Sequence, residues 1–578
     1  MPEFRHAGEL LAALLAEHGV RHVFGVPGGQ TLALYDGILD QAGLTHVLTR
    51  DERSAAYAAD GYARVTGQVG VCDATVGPGA AKLPSGLSES LGASVPVVAL
   101  VSDLPARLAP HRYRGAASQA LDQAGLLAPV TKWQATVPEA AVLPALLRQA
   151  FREAASGRPG PAVLFLPQDV LDGPVPDGVT AGLASSARFG RFPPFRPAPE
   201  QADLAAAAAV LRAAHRPFIL AGGGVQHSAA GAALTALAAR ASAAVGTTLS
   251  GKGAIAEDHP LSVGVTGSMG TSAAAAALSE ADVVLLAGCK AGSGATSGWT
   301  LPRAGQAVLQ LDLDPAELGR AFPLRAALLG DAQAGLAALL AALGHEPEDG
   351  EPDRSAWRAR LAGLTAAWRA ARDAERASGQ VPVAPQRVLA ALEAALGADD
   401  VLICDASLAS GWGGVYLEQR HPGRRVLCPR GQAGLGYALP AAIGVATAGP
   451  GHRTVVLTGD GALGYAAGEL ATVAELGLPV TVLVLNNRSL GWIRWYRRIT
   501  FGRGWEDDDF ADVAFAAVAR GFGLHAARVS EPSQLDGALR GALDGPPALL
   551  DVATDAWQTP ITAHRKAIET ASQAGYGG

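Results

Sequence analysis

The sequence predicts an α/β fold with three domains, each containing a mostly parallel β-sheet flanked by helices. Short apolar, β-branched runs such as Val480 to Leu485 alternate with longer stretches of helix-forming residues. The chain has 578 residues and 49% of them are hydrophobic, which is enough for three or four domains with large buried cores. Composition shifts and breaks rich in Pro, Gly, Ser or charged residues interrupt the alternation. We therefore expect domains at residues 1–174, 200–343 and 385–559.

The first predicted domain contains two strands that are apolar over their whole length. They are Val95 to Val101 and Ala162 to Leu166, and such runs are typical of strands buried on both faces of a parallel sheet. A segment rich in Pro, Gly and Ser follows from Asp172 to about Pro199. This segment predicts the linker to the middle domain.

The middle domain is predicted from three further apolar runs: Phe218 to Ala221, Val283 to Ala287, and Ala307 to Asp312. A polar break from Glu346 to Pro352 closes it. The last domain has the same alternation of strands and helices as the first. This similarity suggests a duplication, although the two segments show no clear sequence repeat.

Two polar motifs follow neighbouring strands of the last domain. Thr454 to Leu457 predicts a buried strand, and we expect the glycines of Gly459-Asp460-Gly461 to let the backbone turn sharply after it. Ala462 to Leu476 has the composition of a crossover helix. The next predicted strand leads to Asn486-Asn487. Both motifs are therefore expected at the carboxyl edge of one sheet.

Asp460 and Asn487 are candidate metal ligands because oxygen atoms suit a hard cation such as Mg²⁺. The backbone carbonyl of Ser489 is the expected third ligand, with water and phosphate oxygens completing an octahedron. The sequence thus predicts a site for a metal-bound diphosphate. The alternative interpretation is an Asp-Gly turn with an unrelated pair of asparagines.

Glu52 is the candidate for proton chemistry in the first domain. It lies between an apolar strand around Val47 and Leu48 and a helical run from Ala55 to Arg64. A carboxyl group at such a junction has few neighbouring waters and can serve as an acid or base. A solvated acid at a helix cap is the alternative interpretation.

The spacing of Gly459-Asp460-Gly461 and Asn486-Asn487 resembles the signature of the thiamin diphosphate-dependent decarboxylase and acetolactate synthase superfamily. Segments of the first domain, Val23 to Gly29, Ala59 to Arg64 and Ala74 to Ala80, are similar to the pyrimidine-binding domain of acetolactate synthases. The resemblance implies thiamin diphosphate and Mg²⁺ as cofactors. It makes the first domain pyrimidine-binding and the last diphosphate-binding. The implied cofactor contacts are Gly28, Gly29, Gln30, Glu52, Leu435, Gly459, Asp460, Gly461, Ala462, Asn487, Ser489, Leu490 and Gly491, and the implied metal ligands are Asp460, Asn487 and Ser489.

By this resemblance, Glu52 is the glutamate that hydrogen-bonds the aminopyrimidine ring of the cofactor. Sharing a proton with a ring nitrogen would favour the imino tautomer, whose nitrogen then removes the thiazolium proton. Arg430 to Pro440 resembles the family loop that places an apolar side chain between the two rings, and Leu435 is at the matching position. An ordinary core leucine is the alternative.

The implied substrate pocket differs from that of acetolactate synthases. Gln119 aligns with the family's active-site glutamine and could hydrogen-bond a substrate carboxylate, whereas a glutamine on a helix surface is the alternative. Trp492, Ile493 and Tyr496 are at positions where acetolactate synthases commonly have Met, Val and Trp, and Gln30 is expected to face the same space. The pocket stays apolar with a changed shape, which leaves a different donor or acceptor open.

The middle domain is where acetolactate synthases often hold FAD, which takes no part in the main chemistry. Thr248 to Gly253 and Leu311 to Pro315 resemble the family. However, Cys289 to Gly294 replaces the arginine-containing loop expected there. This departure argues against FAD, and an empty or nucleotide-occupied middle domain is the alternative.

Composition bears on the partners of the protein. The net charge is −7 and the arginines are scattered, which argues against a nucleic-acid partner. The four cysteines are widely spaced, as expected for reduced thiols. No uninterrupted apolar stretch has the length and flanks of a membrane span, and the N-terminal segment lacks a secretory apolar region. We therefore expect a cytoplasmic protein without a membrane partner.

The resemblance implies an enzyme that decarboxylates a 2-oxo acid and transfers the acyl carbanion to a carbonyl acceptor. A non-ligating 2-oxo acid decarboxylase and a 2-hydroxyacyl C–C lyase are alternatives. An inactive, regulatory nucleotide-binding homologue is a third, and Glu52, Asp460 and Asn487 argue against it. Because Glu52 and Asp460 are in separate domains, the resemblance implies that two subunits complete each cofactor site, in a homodimer or homotetramer.

Overall fold

A computed structural model describes residues 4–112, 115–179, 186–344, 350–449, 451–502 and 509–561. It contains three six-stranded sheets flanked by helices, and the α/β class predicted from the sequence is confirmed. The chain divides into two compact units: residues 1–195, 429–452 and 466–480 form the first, and residues 196–428, 453–465 and 481–578 form the second. The domain boundaries at 174, 200, 343 and 385 stay predictions. The polar break lies largely outside the described residues.

The first unit contains a sheet with the strand order β2-β1-β3-β4-β6-β5, and its strand pairs are parallel. Strands β3, β4 and β6 are buried along their whole length, as expected for a sheet covered on both faces. The strands are β1 (His22–Gly25), β2 (Thr45–Leu48), β3 (Gly70–Ala74), β4 (Val97–Asp103), β5 (Trp133–Thr136) and β6 (Ala162–Pro167). The helices are α1 (Ala7–Glu17), α2 (Leu32–Asp40), α3 (Glu52–Thr66), α4 (Pro78–Ala93), α5 (Gln123–Leu127), α6 (Leu143–Ala155) and α7 (Gln168–Leu171).

The middle sheet has the order β12-β11-β10-β7-β8-β9, which is the strand order of dinucleotide-binding folds. Its strands are β7 (Pro217–Ala221), β8 (Ala244–Thr247), β9 (Ser262–Val265), β10 (Val283–Ala287), β11 (Ala307–Asp312) and β12 (Ala326–Leu329). The helices are α8 (Gln201–Ala213), α9 (Gly223–His227), α10 (Gly231–Ala241), α11 (Ser272–Glu280) and α12 (Ala332–Leu343).

The last sheet has the order β14-β13-β15-β16-β18-β17. Counted from its own first strand, this order is the same as that of the first sheet, which supports the suggested duplication. The strands are β13 (Val401–Cys404), β14 (Val426–Leu427), β15 (Thr454–Gly459), β16 (Val480–Asn486), β17 (His525–Val529) and β18 (Ala548–Ala553). The helices are α13 (Ser355–Arg376), α14 (Pro385–Ala395), α15 (Leu408–Tyr416), α16 (Ala438–Thr447), α17 (Asp460–Ala466), α18 (Glu469–Glu475), α19 (Gly491–Phe501), α20 (Phe515–Gly521) and α21 (Pro532–Leu543).

The crossover between β15 and β16 differs from the prediction. Instead of one helical segment over residues 462–476, the structure has α17 and α18, separated at Ala467 and Gly468. Gly468 is the N-cap of the second helix. Glycine disfavours the helix interior by about 1 kcal/mol, so Gly468 is better tolerated at this cap than inside one long helix.

Helices α3 and α16 pack closely in the first unit because each presents a glycine to the other. A Cβ atom on Gly61 would lie 2.4 Å from the carbonyl oxygen of Ala441, and one on Gly444 would lie 1.9 Å from that of Ala58. Between them, Tyr437 donates a hydrogen bond of 2.7 Å to buried Asp60. Any larger residue at either glycine would force the two helices apart.

Asp60 and its neighbours form a buried polar network beside this contact. Asp60 also accepts hydrogen bonds from Arg64 at 2.6 Å and from Ser90 at 2.8 Å. Burial lowers the pKa of Arg64, but Asp60, Tyr437 and Glu89 outweigh it and leave that pKa above its usual value. The guanidinium is therefore charged and paired, as a buried cation has to be.

Among the described helices, none combines the length and the apolar character required to cross a membrane.

Candidate functional site

Asp460 and Asn487 lie at the same edge of the last sheet, as the sequence predicted. Asp460 is the first residue of α17 and directly follows β15, while Asn487 directly follows the neighbouring strand β16. β15 ends at Gly459 and α17 begins at Asp460, so the chain changes direction at this motif without a positive φ at either glycine. A Cβ atom on Gly461 would lie 3.1 Å from the ring of Phe510, a tight contact that a small shift of the ring would relieve.

The carboxylate of Asp460 is buried and only partly hydrogen-bonded. Its Oδ1 accepts a hydrogen bond of 2.9 Å from the amide of Gly461. No described residue donates to the buried Oδ2. Burial raises the pKa of Asp460 to about 6, although the amides of Gly461, Arg488 and Ser489 oppose the shift. An unpaired buried acceptor costs about 1–3 kcal/mol, so this oxygen fits a site that a cation completes.

Asn487, Ser489 and Gly491 are arranged by a short turn between β16 and α19. The side-chain oxygen of Asn487 accepts a hydrogen bond of 3.1 Å from the amide of Ser489. The carbonyl of Ser489 accepts one of 2.9 Å from the amide of Gly491. A Cβ atom on Gly491 would lie 2.7 Å from Cδ1 of Leu408 and 3.0 Å from the side-chain nitrogen of Asn487, so a larger residue here would displace one of these side chains. The acceptors of Asn487 and Ser489 are both oxygen atoms of the kind that a hard cation such as Mg²⁺ prefers.

Two further residues at this edge, Asp405 and Ser407, are not among those that the sequence pattern predicted. Asp405 follows β13, is buried, and accepts hydrogen bonds from the amide of Ala406 at 2.8 Å and the hydroxyl of Thr458 at 3.2 Å. Ser407 is the N-cap of α15 and has a φ of +65°, which is unusual for a residue with a side chain. The sheet order reverses between β13 and β15, and such switch points bind ligands. A polar residue directly after an apolar strand was the signal that could have identified Asp405.

Glu52 begins α3 in the first unit and is 5% exposed. Its predecessor Asp51 caps the helix by accepting a hydrogen bond of 2.9 Å from the amide of Arg53. A Cβ atom on Gly79 would lie 2.9 Å from Oε1 of Glu52, so the glycine leaves room for the carboxylate in its present position. The ammonium of Lys82 lies 3.2 Å from Oε2, in an ion pair without the alignment of a hydrogen bond. The solvated-cap interpretation is therefore wrong for this side chain.

Gln30 lies between Thr75 and Gln119 and contacts both side chains. The hydroxyl of Thr75 donates a hydrogen bond of 3.0 Å to the side-chain oxygen of Gln30, whose amide lies 3.5 Å from Oε1 of Gln119. A Cβ atom on Gly79 would lie 2.9 Å from the methyl group of Thr75 as well as 2.9 Å from Glu52. Sequence reasoning did not assign Thr75, although it lies within one of the segments that carried the resemblance.

Two glycines and the backbone of Gln119 complete this region. A Cβ atom on Gly28 would lie 2.2 Å from the hydroxyl of Thr75. Gln119 has a φ of +61°, and its carbonyl oxygen would lie 2.1 Å from a Cβ atom on Gly77. A strained residue held by such close contacts is typical of functional sites. By contrast, Gly29 is exposed and a Cβ atom there would meet no neighbour within 4 Å.

Leu435 lies half-buried in a loop of the first unit that Glu89 holds in place. The carboxylate of Glu89 accepts hydrogen bonds from the amides of Gly431, Gln432 and Ala433, at 2.8, 2.7 and 3.0 Å. A Cβ atom on Gly434 would lie 2.7 Å from the hydroxyl of Tyr57. These contacts fix the backbone on the N-terminal side of Leu435.

The three predicted pocket residues of α19 differ in their surroundings. Ile493 and Tyr496 are 44% and 59% exposed. Trp492 is half-buried and packs against the core of the second unit. Trp495, which lies between Ile493 and Tyr496 in the chain, is buried and contacts Trp557, with ring centroids 5.7 Å apart. Helix α19 is thus anchored on one face and presents Ile493 and Tyr496 on the other.

The middle sheet brings glycine backbones together at its own switch point, between β7 and β10. The amide of Gly224 donates a hydrogen bond of 2.9 Å to the carbonyl oxygen of Gly288. A Cβ atom on Gly222 would lie 2.2 Å from that same oxygen. These glycines allow the two backbone segments to pack closely, and the expectation that the middle domain does not hold FAD stays a prediction.

Comparison with protein families gives three matches in chain order. The N-terminal TPP binding domain of thiamine pyrophosphate enzymes matches residues 5–126. The central domain of these enzymes matches residues 204–339, and their C-terminal TPP binding domain matches residues 405–552. The first match includes Glu52 and the last includes Asp460 and Asn487.

Curated relatives match over most of the chain. A probable acetolactate synthase large subunit of Methanocaldococcus jannaschii is 34% identical over 558 residues, covering 95% of this chain and 92% of the relative. An acetolactate synthase of Mycobacterium bovis is 32% identical, covering 86% and 78%. A probable 2-ketoarginine decarboxylase, AruI, of Pseudomonas aeruginosa is 38% identical, covering 84% and 83%. The chain therefore belongs to the acetolactate synthase family of thiamin diphosphate-dependent carboligases.

Proposed function

We propose that the protein decarboxylates a 2-oxo acid and joins the resulting acyl unit to a carbonyl acceptor, using thiamin diphosphate held by Mg²⁺. The observation that carries this proposal is the buried Oδ2 of Asp460, to which none of the described residues donates a hydrogen bond, at the sheet edge where Asn487 also lies. When bound, thiamin diphosphate supplies a carbon nucleophile that also stabilises the charge left by decarboxylation.

Asp460, Asn487 and the carbonyl of Ser489 would hold the Mg²⁺. All three offer oxygen atoms, which Mg²⁺ prefers, and Asp460 alone brings a negative charge. Helices α15 and α19 begin at the same sheet edge, and their N-terminal amides favour an anionic group there. The expected contacts of Gly459, Gly461, Ala462, Leu490 and Gly491 with the diphosphate belong to the same proposal.

Glu52 would share a proton with the aminopyrimidine ring. Its carboxylate is shielded from water, so a proton placed between it and a ring nitrogen would exchange little with solvent. Leu435, in the loop that Glu89 holds in place, would contact the cofactor. Because Glu52 and Asp460 lie in different units of the chain, we propose a cytoplasmic homodimer or homotetramer in which two copies complete each site.

In this site completed by two copies, Gln30 and Gln119 of one copy and Ile493 and Tyr496 of the other would form the substrate pocket. The two amides can donate to a carboxylate or carbonyl oxygen, while the exposed apolar side chains would contact the substrate's carbon chain. The weak 3.5 Å contact between the amides leaves them free to turn towards a substrate.

A second candidate is a decarboxylase that releases an aldehyde without ligation. The relative named as a probable 2-ketoarginine decarboxylase, at 38% identity, favours this candidate. Incubation with pyruvate alone separates the two, because ligation gives acetolactate and simple decarboxylation gives acetaldehyde. Acetaldehyde as the sole product would contradict the proposed carboligation.

The roles of Glu52 and Asp460 are tested by two substitutions. Glu52→Gln keeps the shape of the side chain and removes its charge, so thiamin diphosphate should still bind while turnover falls by at least about 100-fold. Asp460→Asn should abolish the dependence of thiamin diphosphate binding on Mg²⁺. Unchanged turnover in the first variant, or unchanged metal-dependent binding in the second, would contradict the assigned role.

A further inference from the structure

We propose that Lys82 is a positioning residue for Glu52, holding its carboxylate in place towards the cofactor through the ion pair at Oε2. This role rests on the proposed function of Glu52. It adds a residue that neither the motif spacing nor the family resemblance identified.

Helix α4 contacts both oxygen atoms of the Glu52 carboxylate. Gly79 and Lys82 are three residues apart, so they lie on the same face of this helix. Gly79 leaves room for Oε1, since a Cβ atom there would lie 2.9 Å away, while Lys82 brings its ammonium to 3.2 Å from Oε2. One face of α4 therefore sets both the position of the carboxylate and the charge beside it.

Glu52 has other acidic side chains as neighbours, so a cation beside it is favourable. Asp51 lies 3.4 Å from the same ammonium. Behind Glu52, Asp73 is fully buried, and burial together with the negative charge of Glu52 raises the pKa of Asp73. The titratable and charged groups that face this region are Tyr35 on α2, His46 on β2, Asp51 and Arg53 at the start of α3, Asp73 on β3, and Lys82 on α4.

Lys82 keeps its charge in this setting. Partial burial lowers the pKa of Lys82, but the Glu52 and Asp51 carboxylates outweigh that effect and leave the pKa above its usual value. The Lys82 side chain is 50% exposed whereas that of Glu52 is 6% exposed. A half-exposed ammonium can adjust its position when the cofactor enters, and its field still acts on the shielded carboxylate.

The ionised form of Glu52 is the one that this chemistry uses. A carboxylate accepts a hydrogen bond from a protonated ring nitrogen, whereas a neutral carboxyl group donates its own proton to an unprotonated one. Lys82 stabilises the carboxylate and so favours the state in which the proton resides on the ring. Loss of the ammonium should therefore slow proton removal from the thiazolium carbon.

The test compares Lys82→Met and Lys82→Arg with the wild-type holoenzyme. The first readout is the rate of deuterium exchange at the thiazolium carbon of bound thiamin diphosphate, followed by NMR after acid quenching. Lys82→Met should slow the exchange and kcat by about tenfold, because the carboxylate loses the ion pair that orients it. Lys82→Arg should restore most of the exchange rate, because it restores the charge.

Arg5→Gln is the matched control, since it removes a cation of the same unit that pairs with carboxylates and is 61% exposed. It should leave the exchange rate unchanged. Calorimetric titration should give thiamin diphosphate affinities within about threefold for all variants, because the proposed role concerns the proton and not the diphosphate. A wild-type exchange rate in Lys82→Met would overturn the proposal, as would a raised KM with normal exchange, which would indicate a substrate contact instead.

Glu52→Gln separates failure of this proposal from failure of the proposed function. If exchange is slow in Glu52→Gln but normal in Lys82→Met, only the role of Lys82 is wrong. If Glu52→Gln itself exchanges at the wild-type rate, the role assigned to Glu52 is wrong and that of Lys82 falls with it.

Discussion

Glu89 accepts a hydrogen bond of 2.7 Å from the backbone amide of Gln432, although the two residues are 343 positions apart in the chain. The same carboxylate accepts from Gly431 and Ala433 and pairs with Arg64. Glu89→Ala would leave three amides and a guanidinium short of an acceptor, and we expect the free energy of unfolding to fall by about 3 kcal/mol or more. Hydrogen exchange of the amides of residues 431–433 should accelerate.

The control for this prediction is Glu139→Ala, which removes an exposed carboxylate from the same unit. Its free energy of unfolding in urea should stay within about 0.5 kcal/mol of the wild type. Equal exchange protection of residues 431–433 in Glu89→Ala and the wild type would mean that Glu89 does not anchor the loop.

Asp460 should make Mg²⁺ binding depend on pH. Without the ion, its pKa lies at about 6, above the ordinary 3.8, and only the ionised form is a ligand. Apparent Mg²⁺ affinity at saturating thiamin diphosphate should therefore fall by about tenfold per pH unit below pH 6 and level off above it. Calorimetric titrations between pH 5 and pH 8 measure this affinity. The control is Asp536→Asn, which changes an exposed aspartate. A flat affinity across this range would contradict the prediction.

The same raised pKa bears on the stability of the metal-free protein. A carboxyl group with a raised pKa in the folded state stabilises the fold fully below its unfolded pKa. It loses this contribution as the pH rises through the folded pKa. Between about pH 4 and pH 6, this group should therefore lower the free energy of unfolding by up to about 3 kcal/mol, and Mg²⁺ should reverse the loss. Asp460→Asn should remove both effects.

Gly79→Ala should displace the Glu52 carboxylate. The added methyl group would lie 2.9 Å from Oε1 of Glu52 and 2.9 Å from the methyl group of Thr75, so one of them has to move. We expect turnover to fall by at least about tenfold with the far-ultraviolet spectrum unchanged, since a small misplacement of a catalytic group is costly. Gly363→Ala is the control, because a Cβ atom there meets no neighbour in α13. It should leave turnover unchanged and stabilise the protein by about 0.5–1 kcal/mol.

Ser407→Gly should raise the stability of the protein. Ser407 has a φ of +65° and a ψ of −137°, a conformation that costs a residue with a side chain about 1–3 kcal/mol and glycine much less. We expect the free energy of unfolding to rise by about 1 kcal/mol. Ala409→Gly makes the same kind of change inside α15 and should lower it by about 1 kcal/mol. A lower melting temperature for Ser407→Gly would argue against strain at this residue.

The sequence predicted the strands well where an apolar run decides the structure. Val283 to Ala287 and Ala307 to Asp312 were predicted with the bounds that the structure has. Asp460 and Asn487 were placed correctly at one sheet edge because parallel strands align their carboxyl ends. Local pattern and sheet geometry were sufficient in these cases.

Residues that act through distant contacts could not be predicted in this way. Nothing near Glu89 in the chain indicates that it binds amides more than 340 residues away, and Lys82 is one charge on a helix until the fold brings it to Glu52. The glycines of the Asp460 motif show the same limit. Gly461 lies close to the ring of Phe510, a residue that comes after the next strand in the chain, and the local pattern does not indicate this contact.

The packing of α3 against α16 bears on how the protein is made. The first unit needs residues 429–452 and 466–480 as well as residues 1–195. A nascent chain emerging from the ribosome therefore lacks the partner of Gly61 and Asp60 until more than two thirds of the polypeptide has been synthesised. Until then the exposed face of α3 is a surface for chaperones or for aggregation, and a fragment that ends at residue 195 would keep that exposed face permanently.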